Sequence, residues 1–149
     1  MKSKKAEKIA RRGEMLDQVG ALPYRRGPSG AVEFLLLTSR GTRRFVIPKG
    51  WRIKGKSDSQ AAAVEARQEA GVKGRVSPVA IGSYQYWKRL GKAFVPINVA
   101  VYALEVETES QKWKEAGQRQ KQWLTAKQAA ALVDEPELVS LIGGFTVPD

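Results

Sequence analysis

Two periods alternate along this chain. Val19–Arg26 and the nearly unbroken apolar run of Glu33–Ser39 (EFLLLTS) read as strands, with Pro28, Ser29 and Gly30 between them as a turn. Phe45–Ile47 is a short extended piece stopped by Pro48. At Ser57 the pattern changes. Ser57 is followed three residues on by Gln60, the spacing of a capping box. An alanine-rich helical segment then runs to about Ala70, and Gly71 stands where a left-handed residue closes a helix. Val79–Trp87 and Phe94–Val106 return to strand character on either side of a basic loop, Lys88–Lys92. Gln122–Leu124 is a short strand. Thr125–Val133 and Pro136–Ile142 are helical, with Thr125 as a candidate cap. Hairpins mixed with separated helices predict an α+β domain and not a regular doubly wound sheet.

Composition narrows the chemistry. A chain of 149 residues suits one domain with a real core. We take 18–149 as that domain and 1–17 as a basic N-terminal arm, solvated and partly disordered or a frayed helix. The sequence contains no cysteine and no histidine, so disulfides, thiolate nucleophiles and imidazole bases are excluded. Any metal must sit on oxygen ligands, which favours Mg²⁺, Mn²⁺ or Ca²⁺. No run approaches the roughly 18 apolar residues of a membrane span, and the N-terminus lacks a signal-peptide pattern. A cytoplasmic location with no membrane partner is the expectation.

The net charge of +11 is unevenly placed. Residues 1–12 hold six basic residues and one acid; residues 40–56 hold seven basic residues (Arg40, Arg43, Arg44, Lys49, Arg52, Lys54, Lys56) and no acid. The second cluster leads into the alanine-rich helix, where Glu65, Gln68 and Glu69, at i, i+3 and i+4, are expected to share a face. Dense positive charge beside carboxylates suits a polyphosphate bound through metal ions. Ala61, Ala62, Ala66 and Ala70 keep the rest of the helix slim enough to lie close to a sheet.

Gly50 through Val72 resembles the Nudix box, G-x5-E-x7-R-E-U-x-E-E-x-G-U, where U is a bulky aliphatic residue. Gly50 matches its first glycine, Glu65 the glutamate of R-E, Glu69 the last glutamate of E-E, and Gly71-Val72 the closing pair. Pro48-Lys49-Gly50-Trp51 is similar to the opening of a branch that includes diphosphoinositol polyphosphate phosphohydrolases and dinucleoside polyphosphate hydrolases. The stretches LLLTSR and QRQKQWLTAKQAAALV look like the same branch, so the resemblance covers nearly all of Val19 to Phe145. Three positions depart from the box. Lys56 replaces its first glutamate, Val64 its arginine and Gln68 the first glutamate of E-E. Natural divergence and an engineered replacement at Gln68 both stay open.

The resemblance implies an α/β/α sandwich with a mixed sheet. It also implies a Mg²⁺-dependent hydrolase, with Mn²⁺ as a substitute. Water would attack phosphorus in a nucleoside polyphosphate, a dinucleoside polyphosphate or an inositol pyrophosphate. Glu69 and Glu65 would be the leading metal ligands, Glu65 alternatively orienting the water. Gln68 would be a neutral ligand, joined by the Gly50 carbonyl and a further carboxylate at Glu115. Lys49, Arg52, Arg40 and Lys54 would hold phosphates, and Tyr86, with Tyr84 and Trp87, could stack a base. Two other classes are weighed against this one: a phosphate-ligand-binding Nudix protein with impaired catalysis, motivated by Gln68, Lys56 and Val64, and an RNA-binding module suggested by charge and aromatics. The chain has no recognisable RNA-binding motif, which makes a nucleic acid the less favoured partner; a phosphorylated small molecule is the favoured one.

Overall fold

The computed structural model describes residues 3–40 and 44–149, and Lys2 and Arg43 of the two basic segments lie outside them. The chain runs α1 (Ser3–Arg11), β1 (Leu16–Arg26), β2 (Val32–Thr38), β3 (Phe45–Val46), β4 (Lys49–Trp51), α2 (Asp58–Glu65), β5 (Val72–Val76), β6 (Gly82–Leu90), β7 (Ala93–Glu109), β8 (Lys121–Thr125), α3 (Ala126–Leu132) and α4 (Pro136–Gly143). The strands form one sheet of 8, with the central order β3-β2-β1-β7-β5; β4 joins β1, β6 joins β7 and β8 joins β2. β1 and β7 are parallel and the other pairs antiparallel, so the sheet is mixed. This is the expected α+β sandwich.

Helices cover both faces of the sheet, which explains the unbroken apolar run in β2. Leu35 and Leu37 face one side, where they meet Val19, Ala21 and Leu104 under the α2 alanines Ala61, Ala62 and Ala66. Phe34 and Leu36 face the other, against Ile97, Val99, Ala129, Leu138 and Ile142. A strand buried on both faces has no polar face to show, so alternation disappears. No helix among the described residues is long and apolar enough to cross a membrane.

Several boundaries differ from expectation. The residues expected to form a loose arm include a helix that docks: Ala6 is fully buried, and Ile9 and Ala10 pack on the core. The Lys92 backbone N–H also donates to the Glu7 carboxylate at 3.3 Å. The loop expected over Lys88–Lys92 is a two-residue turn, Gly91-Lys92, with Leu90 paired to Ala93. Gly91 takes φ 64°, the left-handed region that such tight hairpins need. β4 and β5 have no counterpart in the sequence pattern. Each is short and carries a central glycine, Gly50 in KGW and Gly74 in VKGRV, which interrupts any strand signal.

Gly74 sits at an irregularity in the β5–β7 pairing, between Lys73 and Gly74. A Cβ there would fall inside the Glu105 backbone carbonyl. Backbone in mid-sheet cannot retreat, so Gly74→Ala should destabilise the fold by about 2–3 kcal/mol, the upper range for overpacking. Urea unfolding measures this. A loss under about 0.5 kcal/mol, the ordinary surface range, would contradict the packing described.

Candidate active site

The site is built on the turn that ends α2. Ser57 caps the helix as expected: its Oγ accepts from the Gln60 N–H at 3.2 Å, and the Gln60 Oε1 accepts from the Ser57 N–H at 3.0 Å. Below Glu65 the helix widens into a π turn over Ala66–Ala70 before Gly71 closes it at φ 68°. Such turns are rare and concentrate at functional sites. Widening leaves carbonyls poorly paired, and side chains from beyond β7 take them up. Trp113 Nε1 donates to the Glu69 carbonyl at 2.9 Å, and Lys121 Nζ to the Ala70 carbonyl at 2.9 Å. The Trp113 indole lies so close to Gly71 that a Cβ there would meet the ring at 2.9 Å.

Glu65 and Glu69 emerge from this turn into a cleft of about 260 Å³ between the turn, β4, β6 and the segment before β8. Glu69 is buried; its Oε1 accepts from the Lys49 backbone N–H at 3.2 Å. Glu65 lies against Gly50 so closely that a Cβ on Gly50 would strike its carboxyl group. Burial first, and then the facing Glu69, push the Glu65 carboxyl up to about 7. Burial also raises Glu69, against the opposing pull of Arg119 and Lys49. Holding both negative charges side by side is therefore costly, and Arg119 and Lys49 offset only part of that cost.

Positive charge surrounds it. Arg119, nearly buried, donates from Nε to Glu115 at 2.8 Å and from Nη1 to the Thr38 carbonyl at 3.3 Å, and lies 3.9 Å from Glu69. Lys49 Nζ sits 4.9 Å from the centre of the Tyr86 ring, whose hydroxyl donates to Gln18 Oε1 at 2.6 Å. Burial brings the Lys49 ammonium down to about 8, only partly offset by Glu69. Arg40 and Lys88 complete the rim.

A divalent cation fits the donor set. Two desolvated carboxyls meet beside the Gly50 backbone, and burial with their mutual repulsion favours a proton on the pair when no divalent cation is bound. Among the described residues no three acids converge into a ready-made cage, so the pair is the anchor.

Of the residues singled out from sequence, Arg40, Lys49, Gly50, Glu65, Glu69 and Tyr86 line this one cleft. Four do not. Gln68, expected on the same face, lines a different groove beside Arg67. The π turn is the reason: more residues per turn mean a smaller angular step, so i+4 stays aligned with Glu65 while i+3 falls behind. Arg52 donates to Asp58 at 3.0 Å on the outside of the helix start. Lys54 is exposed in the turn before α2. Glu115 is turned to Arg119, with Arg40 at 3.9 Å, and lies beside the cleft without lining it. Sequence reasoning missed Gln18, Lys88 and Arg119. Arg119 stands in the QRQKQW stretch already noted for resemblance, and the absence of any acid from residue 82 to 104 marked the hairpin that carries Lys88.

Comparison with known proteins bears on the family and the fold. No family model matches the chain. It is 30% identical over 140 residues to Nudix hydrolase 16, mitochondrial, of Arabidopsis thaliana, covering 85% of this chain and 77% of that protein. It is 30% identical over 105 residues to Nudix hydrolase 12, mitochondrial, of the same plant, covering 68% of this chain and 52% of the relative. The chain thus spans little more than half the length of several relatives it matches. Among solved structures, a Caenorhabditis elegans Ap4A hydrolase in a binary complex superposes with a TM-score of 0.63 at 22% identity, over 88% of this chain and 100% of that one. The fold is shared, and the first of these relatives matches across most of both chains; the chain belongs to the Nudix hydrolases.

Proposed function

We propose that the protein is a metal-dependent hydrolase that cleaves a diphosphate linkage in a small phosphorylated molecule. The substrate class is a nucleoside polyphosphate, a dinucleoside polyphosphate or an inositol pyrophosphate, within the branch that the PKGW stretch resembles. One observation carries this reading: the pair of half-buried Glu65 and buried Glu69 opens into a cleft rimmed by Arg40, Lys49, Lys88 and Arg119. Two carboxyls held together are unfavourable, and the cations beside them are only partly matched by Glu69 and Glu115. A substrate polyphosphate with its metal satisfies both.

Glu65 and Glu69 would hold the metal, Mg²⁺ by preference and Mn²⁺ as an alternative, with the Gly50 backbone beside them. The metal, when bound, neutralises phosphate oxygens and lowers the pKa of water. The chain's own groups do the rest. Arg119 keeps Glu69 and Glu115 in place. Lys49 and Arg40 receive phosphate oxygens, and a bound phosphate restores the full charge of Lys49. Tyr86, braced by Gln18, forms the wall opposite the carboxylates and is placed to pack against the group carrying the phosphates. The alternative of an impaired binding protein rests on Gln68, Lys56 and Val64, and it is not favoured here: Gln68 lines the other groove and not the cleft.

Turnover should require Mg²⁺ or Mn²⁺ and stop in EDTA. Glu69→Ala should cost at least about a hundredfold in rate, as when a catalytic metal loses a charged ligand. Chromatographic separation of substrate and products over a panel of the three substrate classes tests this; near-full activity in Glu69→Ala would overturn the assignment.

Gln68→Glu should leave the rate within about threefold of the parent at every Mg²⁺ concentration, under 1 kcal/mol on the barrier. A rise of about tenfold or more would mean that Gln68 reaches the metals after all.

The metal-free protein should also show the strain of the pair in its pH profile. The folded-state value of Glu65, about 7, lies above its ordinary 4.5. Its contribution to stability is therefore present below pH 4.5 and lost as pH climbs through 7. Thermal melts in EDTA should show Tm falling across that window, and Glu65→Gln should flatten the fall. An equal slope in the variant would place the titration elsewhere.

A further inference from the structure

A second groove, of about 390 Å³, lies on the other side of the π turn from the cleft. Its wall is Trp113, and its rim carries Arg67, Lys73, Lys112 and Lys114. All four cations are exposed, and among the described residues none of them makes an ion pair. The one acid on the groove, Glu109, is already committed: it takes Lys121 Nζ at 2.9 Å and Trp123 Nε1 at 3.2 Å. Lys121 is turned away from the rim as well, with its Nζ 4.0 Å over the Trp113 ring and bonded to the Ala70 carbonyl.

The rim is therefore largely uncompensated positive charge around a concavity, with Lys114 also acting on Glu65. A cleft lined by one sign of charge against a low-dielectric wall focuses potential and concentrates counter-ions. A single phosphate would leave most of four cations unmatched. The volume falls in the range of small-molecule sites, whereas an extended polymer needs a longer track. Arg67 adds a planar fork suited to two phosphate oxygens at once.

We propose that this groove is a second anion site, separate from the cleft, that binds a small ligand carrying two or more adjacent phosphates. Gln68 then has a place: it lines this groove as a neutral group, where a glutamate would oppose the anion. The occupant would rest on the same turn that carries Glu65 and Glu69, which puts it in position to affect the cleft without entering it.

The test is calorimetric titration of the full chain with inorganic tripolyphosphate, at low salt and in EDTA, so that no hydrolysis intervenes. The parent protein should show two classes of site. The triple variant Arg67→Gln/Lys73→Gln/Lys112→Gln should lose one class, with affinity down at least about a hundredfold, and keep the other. Lys49→Ala should weaken the class that the triple variant keeps. The charge-preserving Arg67→Lys/Lys73→Arg/Lys112→Arg should retain both. Gln68→Glu should weaken the groove class alone. A triple variant whose isotherm is unchanged from the parent's, whether the parent shows one class or two, would overturn the proposal. Two classes with no hydrolysis of any diphosphate substrate would instead sink the reading of the cleft and leave the groove standing.

Discussion

Everything at the cleft depends on keeping two carboxyl groups side by side where water is scarce. Glu65 and Glu69 are four positions apart, and burial raises both. Such a pair is unstable unless something else holds the backbone. Here the holding is done at both ends of the helix. Ser57 and Gln60 close the N-terminal end reciprocally. Trp113 and Lys121 reach in from beyond β7 to take the carbonyls that the π turn frees. Alanines at 61, 62, 66 and 70 let the helix lie flat on the sheet, so the turn cannot relax away from β4 and the Lys49 N–H. The glycine at 50 follows from the same constraint, because any side chain there would collide with Glu65.

Much of this was legible from residue types and spacing. The capping box at Ser57, the cap at Thr125 and the left-handed Gly71 stand where their local chemistry put them, because caps and C′ glycines depend on only a few neighbouring residues. The long strands and both C-terminal helices were readable for a similar reason: their apolar pattern is long enough to average over exceptions. What escaped reading is decided by tertiary contact. β4 is three residues long and is a strand only because β1 lies beside it. The N-terminal basic stretch looks like a solvated arm until Ala6, Ile9 and Ala10 find the β6–β7 hairpin. Spacing on an ideal helix put Gln68 with the glutamates; the widened turn that separates them has no local sequence signal.

The distribution of charge follows the same division. The seven basic residues of 40–56 looked like one phosphate cradle, yet the fold divides them. Arg40 and Lys49 line the cleft, Arg44 pairs with Asp134 at 2.9 Å, and Arg52 pairs with Asp58 at 3.0 Å. Cations from distant segments replace them: Lys88 from the hairpin and Arg119 from before β8. Clustering along the chain was therefore a good sign of phosphate chemistry and a poor map of which residues perform it. Position relative to the carboxyl pair, not density of charge, decides that.

The most direct measurement is anomalous diffraction at the manganese edge from crystals grown with Mn²⁺. The account predicts a peak within coordination distance of Glu65 and Glu69 and beside the Gly50 backbone, and its loss in Glu65→Gln/Glu69→Gln crystals. A peak held elsewhere, or one that survives the double substitution, would contradict it.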